Sequence, residues 1–136
     1  MNAQILKGAE GIKKVYEKVL KSNSADFACT ANGYDLVLGS WYDDNFAPRL
    51  FDSHIKTREL LLDTSDNREY AKRKNTGKNA VRFVTTQSES DVITGDNFVA
   101  FVSYNTKNPG AVLIEDPEVV SSIKALFDLA WSAAKV

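Results

Sequence analysis

Residues 91–131 hold the pattern that most restricts the fold. Three apolar runs rich in β-branched residues, "DVIT", "FVAFVSY" and "GAVLIED", follow one another with turn residues between them. Gly95-Asp96-Asn97 is a tight-turn sequence, so the first two runs are predicted to pair as a hairpin. The third run leads into Asp116-Pro117. Aspartate is a natural N-cap, and proline at the first helical position gives up an N–H that has no partner there anyway. Val119, Val120, Ile123, Leu126, Phe127, Ala130 and Trp131 then mark one broad apolar face, with Phe127 and Trp131 expected in the core. A hairpin, another strand and a closing helix require a sheet with a helix packed on it.

The upstream half alternates between the two periodicities. "ILKGAEGIKKVYEKVLKS" places Ile12, Val15, Tyr16, Val19 and Leu20 at helical spacing, predicting an amphipathic helix of about four turns. "ADFACTA" and "YDLVLG", separated by Asn32-Gly33, contain at least one buried strand. "DDNFAPRLFDSHIKT" reads as a second helix. Asp43 or Asp44 would cap it, Pro48 would lie in its first turn, and Phe46, Leu50, Phe51 and Ile55 would form its face. "RELLLD" is strand-like, Thr64 and Ser65 are caps for a short polar helix, and "AVRFVTT" alternates as a strand. The pattern as a whole predicts an α/β layered domain, a mixed β-sheet flanked by helices, spanning residues 1–136 as a single unit.

Composition narrows the function classes. With 17 basic and 18 acidic residues the net charge is −1, so no global basic field recommends nucleic acid. The single cysteine, Cys29, cannot staple the chain and is expected to be a buried, inert thiol; a cytoplasmic setting follows. No apolar run approaches the ~20 residues of a membrane span. Metal-ligand spacings and a glycine-rich phosphate loop are absent, and no cofactor is expected. The one histidine, His54, belongs to an H-x-K pair with Lys56. A phospholipase D-type site, H-x-K-x4-D, would need aspartate at position 61, which is leucine. His54 and Lys56 read instead as a helix end.

The opening hairpin fits that frame better. Taking Asp96 as the motif's aspartate puts the lysine position on Asp91 and the histidine position on Glu89. "VSYN" then offers Ser103 and Asn105 in the polar places of a following G-S-x-N element, with Val102 for its glycine. The nucleophile and the phosphate-holding cation are thus replaced by carboxylates, which would repel a phosphate. On the motif alone, an ordinary hairpin explains the same residues equally well.

Over nearly its full length the chain resembles the C-terminal effector domain of TrmB-type transcriptional regulators, a phospholipase D-like half-domain lacking catalytic residues. The resemblance is carried by "LKGAEGIKKVYEKVL", with its G-x-x-G-I signature, by Arg58 before "ELLLD", and by Arg82 in "AVRFVTT". The G-D turn of the hairpin and the final F-x-x-x-W pattern, Phe127 and Trp131, complete it. It implies a non-catalytic domain for ligand sensing or protein interaction, and a homodimer, since half-size members of that superfamily pair across a shared site. Four carboxylates from two copies of Glu89 and Asp91 would then approach one another. The winged-helix and sugar-binding extensions of those regulators are not recognisable here, so no direct DNA binding is expected, and the partners expected are a small-molecule ligand or a regulatory protein. The alternative is a small dimeric phosphodiesterase or nuclease using His54 and Lys56. Candidate ligand-binding residues are Trp41, Arg58, Arg82, Ser103 and Asn105. The basic run Lys72, Arg73, Lys74 and Lys78 reads as a solvated helix end or as an anion-binding lip.

Overall fold

A computed structural model describes residues 1–74 and 76–136. The chain runs β1 (Asn2–Lys7), α1 (Gly8–Val19), β2 (Ser24–Cys29), α2 (Tyr34–Leu38), a π-helical turn (Tyr42–Phe46) continuing into α3 (Ala47–Phe51), and β3 (Lys56–Leu62). It continues through α4 (Ser65–Lys72), β4 (Asn79–Val84), β5 (Asp91–Thr94), β6 (Val99–Ser103), β7 (Gly110–Glu115) and α5 (Pro117–Ala133). All seven strands form one mixed sheet in the order β1-β7-β6-β5-β2-β3-β4. β2, β3 and β4 are parallel, whereas β5, β6, β7 and β1 join antiparallel. The α/β layered architecture is therefore the one the sequence predicts.

One face of the sheet carries α1, the π-turn with α3, and α4. Ile12, Val15 and Val19 of α1 are fully buried, as are Phe46 and Leu50, against Phe27, Ile93, Ala100 and Val102 of the strands. The other face carries, among the described residues, α5, which packs on β7, β2, β5 and β6. Asp116 caps it as expected, accepting from the Val119 N–H at 3.0 Å. The broad apolar face is only partly used. Val120 and Phe127 are buried, Trp131 is half-buried, and Leu126 is 60% exposed. One helix covers only a strip of a seven-stranded sheet, so its flanks stay in solvent.

Two local expectations change, and a third resolves. Residues 2–7 are a strand, not the start of the first helix: Ile5 pairs with Val112 on the edge of the sheet. Gly8, at φ +71°, turns the chain from β1 into α1, and its N–H donates to the Pro109 carbonyl at 2.8 Å. Of the two stretches flanking Asn32-Gly33, "ADFACTA" supplies the expected strand as β2, and "YDLVLG" is the short helix α2, bracketed by Gly33 at φ +101° and Gly39 at φ +58°. The second helix begins before Asp43 and Asp44, which do not cap it, and ends at Phe51, which is exposed. Pro48 has no N–H for an α-bond to Asp44, and the preceding Ala47 N–H reaches back five residues to the Tyr42 carbonyl.

Gly11 makes a sharp test of the β1–α1 corner. A Cβ there would lie 2.5 Å from the Leu6 carbonyl carbon, a rigid backbone atom. Gly→Ala inside a helix ordinarily stabilises by up to ~1 kcal/mol. Here the overlap dominates, and Gly11→Ala is expected to lower unfolding free energy by about 1–3 kcal/mol in urea denaturation.

Candidate functional site

The described residues enclose a cavity of about 330 Å³ at the carboxyl ends of the parallel strands β2 and β3, beside the start of β5. The location follows from topology. β2 is the strand at which the sheet switches from parallel to antiparallel, so the chains leaving β2 and entering β5 diverge there and leave a crevice. Five tyrosines line it: Tyr16 of α1, Tyr34 of α2, Tyr42 of the π-turn, Tyr70 of α4 and Tyr104 just beyond β6. Tyr16 and Tyr104 join hydroxyl to hydroxyl at 2.6 Å across the sheet-facing wall. Tyr16 and Tyr42 meet edge to face, with centroids 5.5 Å apart.

Two carboxylates are buried at this cavity, and their surroundings differ. Glu59 of β3 lies 3.5 Å from the Lys74 ammonium, both side chains being 6% exposed. Burial raises the Glu59 carboxyl and lowers the Lys74 ammonium, each opposed by the charge of the other. Lys74 also sits 4.0 Å from the ring centre of Tyr70 and 4.6 Å from that of Phe51. Lys74 is therefore neither a solvated helix end nor part of an anion-binding lip. Lys78 of the same run donates to the Phe51 and Ser53 carbonyls at 2.8 and 2.6 Å.

Asp91 is 4% exposed and makes no ion pair among the described residues. Its Oδ1 accepts from the Ala31 N–H at 3.2 Å, and the Tyr104 hydroxyl and Cys29 thiol are its other polar neighbours. Burial pushes its carboxyl up to about 6, although those donors pull it back. Cys29 is half-buried at the same wall, and burial raises its thiol well above the ordinary range, so it is not a thiolate nucleophile.

The remaining sequence candidates lie elsewhere. Glu89 is exposed in the loop before β5. Asp96 lies at the opposite end of β5, accepting from Asn23 N–H at 2.7 Å and Ser24 N–H at 3.3 Å, where it ties the hairpin turn to the α1–β2 loop. Ser103 and Asn105 do not line the cavity. Asp91 pairs with Val102, so strand alternation puts residues 102 and 104 on its face and turns Ser103 away. Tyr104 is the residue that points in, and the alternation of apolar Val102 and Tyr104 with polar Ser103 and Asn105 was the signal available in the sequence.

Trp41 packs against Tyr16 and Phe46 instead of lining the cavity. Arg58 binds both Asp26 oxygens at 2.8 Å and reaches Asp128 of α5 at 2.9 Å. Arg82 donates to the Trp131 carbonyl at 2.8 Å. Both arginines lie over the Trp131 ring, so they fasten α5 to the sheet on the face away from the cavity. His54 lies in a bend and Lys56 begins β3, at the end of that strand remote from the cavity.

No family model matches the chain, and no curated protein does. Solved structures do share its fold. TrmBL2, an archaeal chromatin protein whose structure shows a novel mode of DNA binding, aligns with a TM-score of 0.67 at 20% identity. The alignment covers 99% of this chain and 54% of TrmBL2, so the chain spans about half of that protein's length. NucT from Helicobacter pylori aligns with a TM-score of 0.74 at 7% identity, over 98% of both chains. Nuc from Salmonella typhimurium, a phospholipase D family member, aligns at 0.58 and 13% identity, over 98% of this chain and 96% of that one. The mixed sheet with its helices is thus a phospholipase D-like fold, the one the resemblance to TrmB-type effector domains implies.

Asp91 makes stability depend on pH in an unusual direction. An ordinary aspartate carboxyl ionises near 3.8, whereas Asp91 ionises near 6 in the folded protein. Between those values the folded state holds the extra proton, so the contribution of this group is complete below pH ~4 and is lost as pH rises through 6. At about 1.4 kcal/mol per unit, Asp91→Asn is expected to gain about 3 kcal/mol on the wild type between pH 4 and pH 7. Parallel urea denaturation of the two proteins at both pH values measures that difference.

Proposed function

We propose that this chain is a non-catalytic sensing domain that binds a small ligand in the tyrosine-lined cavity. The observation that supports this reading most is the character of Asp91. If Asp96 is taken as the motif's aspartate, the phospholipase D frame would set its phosphate-holding cation at position 91, and Asp91 of β5 is a buried carboxyl. Phosphodiester cleavage needs a nucleophile and a positive charge converging on phosphorus. Among the described residues no lysine, arginine or histidine lines this cavity, and His54 lies before the far end of β3.

In the same reading the domain works in the cytoplasm as a homodimer and makes no direct contact with DNA, in keeping with its net charge of −1. The exposed Leu126 and Leu129 of α5, 60% and 69% accessible, favour a contact with a second protein surface. Sedimentation velocity is expected to give twice the 15.1 kDa chain mass.

Hydrolysis of bis-p-nitrophenyl phosphate and nicking of plasmid DNA, with and without EDTA, test the non-catalytic claim. Wild type and His54→Ala are both expected at the blank rate. Turnover in the wild type that disappears in His54→Ala would contradict it.

A further inference from the structure

We infer that the cavity takes a small organic cation, a protonated amine or quaternary ammonium group, seated against Asp91 and faced by the tyrosine rings. The inference rests on the proposed ligand-binding reading and names the chemistry of that ligand. Three observations carry it.

The first is charge. Glu59, Asp91 and Asp35 line the cavity, and among the described residues no cationic side chain does. Glu59 is already matched by Lys74 behind the wall, so Asp91 is the buried carboxylate left without a counter-charge. An anion entering would meet Asp91 and Asp35 without compensation, whereas a cation supplies what the site lacks.

The second is the wall. Aromatic faces attract ammonium groups, most strongly where water is excluded. The protein already contains one such arrangement: Lys74 beside a carboxylate, 4.0 Å from Tyr70 and 6.0 Å from Tyr42. Tyr42 and Tyr70 also line the cavity, next to Tyr16, Tyr34 and Tyr104. The empty space thus repeats, around Asp91, the chemistry that holds Lys74 around Glu59.

The third is size. About 330 Å³ lies at the small end of the ~300–1,000 Å³ range of ligand clefts, room for an amine of a few carbons and not for an oligomer.

The groups facing Asp91 are Cys29 from β2, Tyr104 from beyond β6 and Tyr16 from α1, with Tyr42 and the Glu59–Lys74 pair across the cavity. Burial raises Cys29, Tyr16, Tyr42 and Tyr104, so these four stay neutral from pH 5 to 7.5. Asp91, set near 6, gains its charge in that interval. Cation binding is therefore expected to strengthen about tenfold from pH 5 to pH 7.5 and to release a proton at the lower pH.

Isothermal titration of the intact protein with tetramethylammonium and with putrescine, beside glucose and inorganic phosphate, tests the assignment at both pH values. Saturable binding of the cations at pH 7.5 is expected, weaker by about tenfold at pH 5 and by at least tenfold in Asp91→Asn. That variant keeps the side-chain size and is expected to fold, and a far-UV spectrum and cooperative melt verify it. Binding of glucose or phosphate without binding of the cations overturns the cation assignment and leaves the ligand-binding reading intact. Cation binding that is unchanged in folded Asp91→Asn also overturns it. Silence of all four probes counts against both.

Discussion

Two carboxylates buried under one layer of tyrosines are the constraint around which this face of the sheet is organised. A buried carboxylate is tolerated only if it is neutralised by a cation, by hydrogen bonds or by a proton. Glu59 takes the first course. Lys74 folds back at the end of α4 into a wall of Tyr70, Phe51 and Tyr42, which places α4 and the π-turn on either side of the cavity. Asp91 takes the other two, with the Ala31 N–H donating to one oxygen and the carboxyl shifted up to about 6. The cavity exists between these two solutions.

That asymmetry separates the scaffold from the chemistry its fold could support. The phospholipase D-like sheet puts the carboxyl ends of β2 and β3 beside the start of β5, a place where side chains from several elements converge. Here the converging groups are hydroxyls, a neutral thiol and carboxylates, with the cation drawn behind the wall by Glu59. The arginines that a sequence reader would send to a ligand serve a different layer. Arg58 and Arg82 hold α5 on the opposite face through Asp26, Asp128 and the Trp131 carbonyl. The arginine contacts thus lie on one face of the sheet and the crevice on the other.

Much of the architecture was legible because the signals were local. The hairpin at Gly95-Asp96-Asn97, the capped helix from Asp116 and the cap at Thr64 depend on near neighbours in the chain, and all three are as expected. β1 was not legible, because Ile5 and Leu6 fit a helical period as well as a strand and only pairing with β7 decides between them. The site was harder still. Ser103 and Asn105 were placed by motif spacing, but the register of Asp91 with Val102 gives the inward position to Tyr104. Lys74 looked like one more surface lysine in a basic run, and its burial depends on Glu59, fifteen residues away and on another element. Convergence of tyrosines from four helical elements and the segment after β6 has no sequence signature of its own.

The most direct measurement is a ¹³C NMR titration of the Asp91 side-chain carboxyl in the free protein and in the presence of putrescine. A midpoint near 6 that moves down when the amine is added is the predicted result. A midpoint near the ordinary 3.8, or one near 6 that the amine leaves in place, would contradict the claim that Asp91 is a buried carboxyl awaiting a cation.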